Sequence, residues 1–134
     1  MGDRGGRRHA DGMQVFLVED SPLIRDRLTA LVAGVPGAEV SGYAGDAEGA
    51  IRQILHSRPD VVLLDLSLAE GSGFDVLRAV RLAAPQIDFY MLTNFADDPY
   101  RQLAGKLGAR GFFDKSREFE RVREVIAARA AQVQ

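Results

Sequence analysis

At 134 residues the chain has the length of one ordinary domain. With 46% hydrophobic and 27% charged residues it can close a core, which excludes wholesale disorder, and its net charge of −2 argues against the basic face of a nucleic-acid-binding domain. The absence of cysteine excludes disulfides, thiolate chemistry and cysteine metal sites.

Met1 to Gly12 is polar, carries Arg4, Arg7 and Arg8, and lacks the apolar stretch of a signal peptide. It reads as a flexible tail over residues 1–12, followed by one domain over 13–131 with no output domain attached. No apolar run approaches the ~18 residues of a membrane span. The expectation is a soluble, cytoplasmic chain with no direct nucleic-acid or membrane contact. From Met13 on, short apolar runs alternate with segments of helical spacing. Met13–Val18 predicts a buried strand. Ser21 offers an N-cap and Pro22 suits the first position of a helix carrying Ile24, Leu28, Leu31 and Val35. Ala38–Tyr43 predicts a second strand, and Asp46 caps a second helix with an apolar stripe from Ala47 to Leu55. Asp60–Leu66 holds four aliphatic residues in succession, Val61 to Leu64, the pattern of a central parallel strand covered on both faces. Gly71 to Gly73 predict a turn before a helix with Phe74, Leu77 and Val80. Ile87–Leu92 predicts the fourth strand, Asp97 or Asp98 starts the fourth helix, and Gly111–Phe113 forms a short fifth strand. A last helix from about Glu118 turns Phe119, Val122, Val125, Ile126 and Ala130 inward. Five strand–helix units in strict alternation predict a doubly wound α/β domain with a parallel sheet.

In such folds ligands bind at the carboxyl ends of the strands. The first strand ends in Glu19 and Asp20, the third in Asp65 and the fourth in Thr93, and Lys115 follows the fifth. Three converging carboxylates repel one another, so a hard divalent cation is expected among them; Mg²⁺ favours oxygen ligands. Asp65 is then a candidate nucleophile toward a phosphoryl group. Lys115 would neutralise charge on the phosphoryl oxygens and Thr93 would donate a hydrogen bond to one of them. Each group alone is ordinary: acidic pairs sit in loops, an Asp after a strand caps a helix, a loop lysine is solvated. One group per correct strand end is the specific signal. His56, at the end of the second helix, reads as a surface residue, and the mixed Arg/Glu pattern from Arg117 to Glu124 as a solvated face.

VEDSP (Val18–Pro22), LLDLSL around Asp65, LTN with Thr93 and FFDKS with Lys115 resemble the receiver domain of bacterial two-component response regulators, from Met13 to about Ala130. That resemblance implies a flavodoxin-like sheet in strand order 2-1-3-4-5 and phosphorylation of Asp65. It implies Mg²⁺ held by the side chains of Asp20 and Asp65, by the Ser67 backbone carbonyl, and by Glu19 through water. It makes Thr93 and Phe112 the switch residues that reshape the face of helix 4, strand 5 and helix 5, with a simple core aromatic as the alternative for Phe112. The implied partners are a sensor histidine kinase or histidine phosphotransfer protein and a downstream protein target, with a homodimer through the same face as one option. The implied activity is self-phosphorylation and self-dephosphorylation, without a separate substrate. The chain departs from the common pattern at Ser116, where proline is frequent, at Ala69, at Ser72-Gly73, where Asp-Gly is common, and at Asn94, where alanine is usual. An interaction module of the same fold that is never phosphorylated is the alternative. A haloacid-dehalogenase-type hydrolase would want an Asp at Ser67, and a flavin carrier would want a phosphate-binding loop where Glu19 and Asp20 stand.

Overall fold

A computed structural model describes residues 12–95 and 97–133, and of Val133 the backbone alone. The expected tail, Gly12 apart, lies outside the described residues. Five strands, β1 (Met13–Val18), β2 (Ala38–Ala44), β3 (Val61–Leu64), β4 (Asp88–Thr93) and β5 (Gly111–Asp114), alternate with five helices, α1 (Pro22–Ala33), α2 (Ala47–Ser57), α3 (Gly73–Ala83), α4 (Asp98–Lys106) and α5 (Arg121–Val133). The strands form one parallel sheet in the order β2-β1-β3-β4-β5, so the doubly wound expectation and its strand order both hold.

The alternation of side chains along each strand divides the core in two. Val15, Leu17, Val61, Leu63, Tyr90, Leu92 and Phe113 face one side and pack against Leu28, Leu31 and Val32 of α1 and Val122 and Ile126 of α5. Phe16, Val18, Val62, Leu64, Phe89, Met91 and Phe112 face the other and pack against Ile54 of α2, Val76, Leu77 and Val80 of α3 and Ala104 of α4. All four residues of β3 are buried, which is why its sequence is continuously aliphatic rather than alternating. β1 and β2 lose register between Val15 and Phe16, so that Ser41 has no partner in β1 and instead donates its hydroxyl to Val15 O.

Local chemistry sets the helix starts. Ser21 accepts from Ile24 N–H, and Asp46 from Gly49 N–H. Ser72 and Asp75 form a capping box on α3. Several boundaries differ from the expectation: β3 keeps only Val61–Leu64 of the expected Asp60–Leu66, and β2, β4 and β5 each run one residue further, to Ala44, Thr93 and Asp114. The first helix closes at Ala33, and Val35 is buried from the connection beyond it. The fourth strand runs from Asp88 rather than Ile87, with the Asp88 carboxylate 2.7 Å from Arg129 Nε and 3.7 Å from Arg110 Nη1. The last helix begins at Arg121, not near Glu118. Asp114 and Glu118 hold the intervening chain in turns: Asp114 N–H donates to Glu118 Oε1, and Glu118 N–H to Asp114 O. Phe119 is therefore buried from a turn, with the Arg27 guanidinium 4.0 Å from its ring centroid.

Candidate functional site

Because every strand is parallel, their carboxyl ends share one edge of the sheet. Ladder bonding continues one residue past β1 and β3: Glu19 N–H donates to Ala44 O and Asp65 N–H to Val18 O, each at 2.9 Å. On the next strands Thr93 pairs in register with Asp114, and Lys115 N–H donates to Thr93 O at 2.9 Å. The backbone thus fixes four of the five predicted residues before their side chains leave the sheet.

Those side chains converge. Lys115 Nζ lies 2.8 Å from Glu19 Oε1 and 2.9 Å from Asp65 Oδ2. Asp20, exposed to solvent, completes a set of three carboxylates whose oxygens lie within 4.8 Å of one another. Burial pushes the Glu19 carboxyl above its ordinary pKa, against the hydrogen bond from Lys115, and the nearby Asp65 charge adds to the rise. Burial works to lower the Lys115 ammonium, but its hydrogen bonds to Glu19 and Asp65 outweigh that and leave it above the usual lysine value. One ammonium faces three carboxylates, so negative charge is in excess. An oxygen-only donor set with that excess fits Mg²⁺.

The remaining predicted residues surround this centre. Thr93 is wholly buried, and its Oγ1 accepts from Phe95 N–H at 3.1 Å. Ser67 is exposed, with its N–H 3.4 Å from Asp65 Oδ1. Gly73 donates its N–H to Leu66 O at 2.8 Å, and a Cβ there would run into the Asp65 carbonyl oxygen. Phe112 is buried on the α4 side, where the Arg101 guanidinium lies 4.9 Å from its ring centroid and Arg101 Nη1 donates to Phe112 O at 2.9 Å. Asn94 and Phe95 are exposed. His56 is exposed and lines a separate groove between β2 and α2 with Arg52 and Ser41.

Two contributors, Arg25 and Arg101, escaped the sequence reading, and a third, Ser116, stood there only as a departure from the common pattern. Arg25 donates to Glu19 O at 3.1 Å while stacking 4.3 Å from the Tyr43 ring centroid. Ser116 anchors the loop of Lys115 by donating both its N–H and its O–H to Asp114 Oδ1, at 2.9 and 2.7 Å. Arg101 fastens α4 to Phe112. The Asp-x-Ser spacing at 114–116 is a recognisable turn signal; the two arginines carry none, because their partners lie on other elements.

The family described as "Response regulator receiver domain" matches residues 15–127. The chain is 32% identical over 103 residues to the DNA-binding transcriptional activator DevR/DosR of Mycobacterium tuberculosis, covering 77% of this chain and 48% of that protein. It is 35% identical over 104 residues to a protein-glutamate methylesterase/protein-glutamine glutaminase of Geobacter sulfurreducens, covering 77% of this chain and 28% of that one. The first of these relatives is thus spanned over about half its length. The fold is similar to that of the response regulator domain of Thermotoga maritima CheB, with a TM-score of 0.80 at 22% identity, covering 91% of this chain and 96% of that one. With the match extending from β1 into α5, the chain belongs to the response regulator receiver domain family.

Proposed function

We propose that this chain is the phosphoacceptor of a two-component signalling pair. Asp65 takes a phosphoryl group from a phosphohistidine on a sensor histidine kinase or a histidine phosphotransfer protein, and a downstream protein target reads the charged state. The observation that carries this reading is the Lys115 ammonium held 2.8 Å from Glu19 and 2.9 Å from Asp65 inside a three-carboxylate cluster.

In the transfer, an Asp65 carboxylate oxygen bonds to phosphorus while the phosphorus–nitrogen bond of the phosphoimidazole breaks. The nitrogen leaves with the bonding electron pair, and a proton from water keeps the ring neutral. Lys115 follows the negative charge from the Asp65 carboxylate to the phosphoryl oxygens. Thr93, whose Oγ1 accepts from Phe95, keeps its own O–H to donate to one of them. The side chains of Asp20 and Asp65 and the Ser67 carbonyl, with Glu19 through water, would hold Mg²⁺, which when bound supplies further neutralisation of those oxygens. Phe112 and Thr93 then rearrange together and reshape the face of α4, β5 and α5, where a target or a second copy binds. The chain acts on itself alone, in the cytoplasm, and its partners are proteins.

The test is to incubate the protein with acetyl phosphate and Mg²⁺ and weigh it intact beside Asp65→Asn. One phosphoryl group is expected on the wild type, and none on the variant or after chelation. Folded wild-type protein that gains nothing, with a phosphohistidine donor also tried, would favour the unphosphorylated interaction module.

A further inference from the structure

β2 lies at the edge of the sheet, and its break in register builds a groove of about 410 Å³ against α2. Ser41 and Gly42 are consecutive, yet both line it, together with Phe16 of β1. A regular strand sends consecutive side chains to opposite faces. The slip between Val15 and Phe16 turns both residues to the α2 side. Gly42 gives the groove its depth: a Cβ there would stand 3.1 Å from Phe16 Cε1, over a ring that is otherwise buried. The α2 wall is made by Arg52, Gln53, His56 and Ser57, all exposed, and no Asp or Glu lines the groove.

Among the described residues the side chains of Arg52 and His56 make no hydrogen bond or ion pair, and Arg52 is not paired with Glu48 one turn earlier. Nor do they serve the end of α2. Arg58 N–H donates to Ile54 O, Arg58 Nε to Leu55 O and Ser57 Oγ to Gln53 O. Arg52 and His56 share one face of the helix, roughly 6 Å apart along its axis. A single small anion meets one of them. Two carboxylates a helical turn apart, or on alternate residues of an extended segment, meet both. The bulge also interrupts the outer edge of β2, which discourages a further strand. An occupant therefore seats side chains in the groove and does not extend the sheet.

We propose that the groove between β2 and α2 is a docking site for an acidic polypeptide segment of a protein partner. The segment places an aliphatic side chain over Phe16 and two Asp or Glu carboxylates at Arg52 and His56. None of the groove's residues belongs to the carboxylate cluster around Asp65, so a partner bound here leaves that site open.

The probe is a synthetic amphipathic peptide of leucine, alanine and glutamate, its glutamates four residues apart, titrated into ¹⁵N-labelled protein. A peptide carrying lysine for glutamate and free glutarate are the controls. Amide shifts are expected at Ser41, Gly42, Gln53 and His56 with the glutamate peptide, and binding should weaken as salt rises. Affinity should fall about fivefold in Arg52→Ala, the upper scale of an exposed ion pair. It should fall as well in Gly42→Ala, which fills the groove and leaves the charge alone. Amide spectra report whether each variant keeps its fold. Shifts gathered on another face, or unchanged affinity in folded Arg52→Ala or folded Gly42→Ala, would overturn the proposal. Equal binding of the lysine peptide would reduce the groove to an apolar contact, and equal binding of glutarate at the same amides would make it a site for free carboxylates; either result overturns the acidic segment as occupant. So would concentration-dependent shifts at those amides without peptide, which would assign the groove to a second copy.

Discussion

Ser116 replaces the proline common after the lysine in receiver domains, and the structure shows what it supplies instead. Its hydroxyl and its N–H both donate to Asp114 Oδ1, a pair of bonds that proline could not make. Those bonds, the hydroxyl first and the amide second, hold the Asp114 carboxyl below its ordinary pKa. A carboxyl lowered in the folded state stabilises the fold fully above the unfolded value, about 3.9. That contribution is lost as pH falls from there through the lower folded value. Ser116→Ala should therefore move the Asp114 pKa upward in an NMR titration of its carboxyl carbon and lower stability above about pH 4, the difference from the wild type closing as pH falls further. An unchanged pKa would mean that the hydroxyl does not hold the loop. The residue types of the site were legible because each falls at a strand end. That one ammonium serves both Glu19 and Asp65 was not, since these partners lie far apart in sequence and only the sheet brings them within 3 Å.

At the scale of elements, the loop after Asp65 depends on the start of α3. Ser72 Oγ accepts from Asp75 N–H at 3.4 Å, and Asp75 Oδ2 accepts from Ser72 N–H at 3.1 Å. Ser67 and Ser72 also form an isolated antiparallel bridge. Ser72→Ala should cost about 1 kcal/mol, the usual worth of an N-cap, read as a lower urea midpoint at unchanged slope. A stability equal to the wild type would show the capping box to be idle. Helical spacing predicted all five helices, and Ser21 and Asp46 announced two of their caps. Residues 71–73 read from sequence as a turn set by glycines; the contribution of Ser72 depends on Asp75 reaching back. The start of α5 was misread because Phe119 continues the apolar spacing of Val122 and Ile126, while the side chains of Asp114 and Glu118 hold that stretch in turns.

At the scale of the molecule, two apolar layers clamp a parallel sheet whose carboxyl edge carries the cluster of Glu19, Asp20, Asp65 and Lys115. The alternation was visible in the sequence because a strand buried on both faces, such as Val61–Leu64, has no polar side to confuse it with an amphipathic helix. Periodicity has no means of fixing the lateral order of the strands, and the order came from the resemblance.

On the proposed function Asp65, and no other group of the cluster, accepts the phosphoryl group. The most direct measurement is to treat the phosphorylated protein with borohydride, which reduces an acyl phosphate to an alcohol, and to locate the product by peptide sequencing in the mass spectrometer. Homoserine is expected in place of Asp65, with Glu19, Asp20, Ser67 and Thr93 unmodified. Reduction at Glu19 or Asp20, or a phosphoryl group that survives borohydride on a hydroxyl, would contradict it.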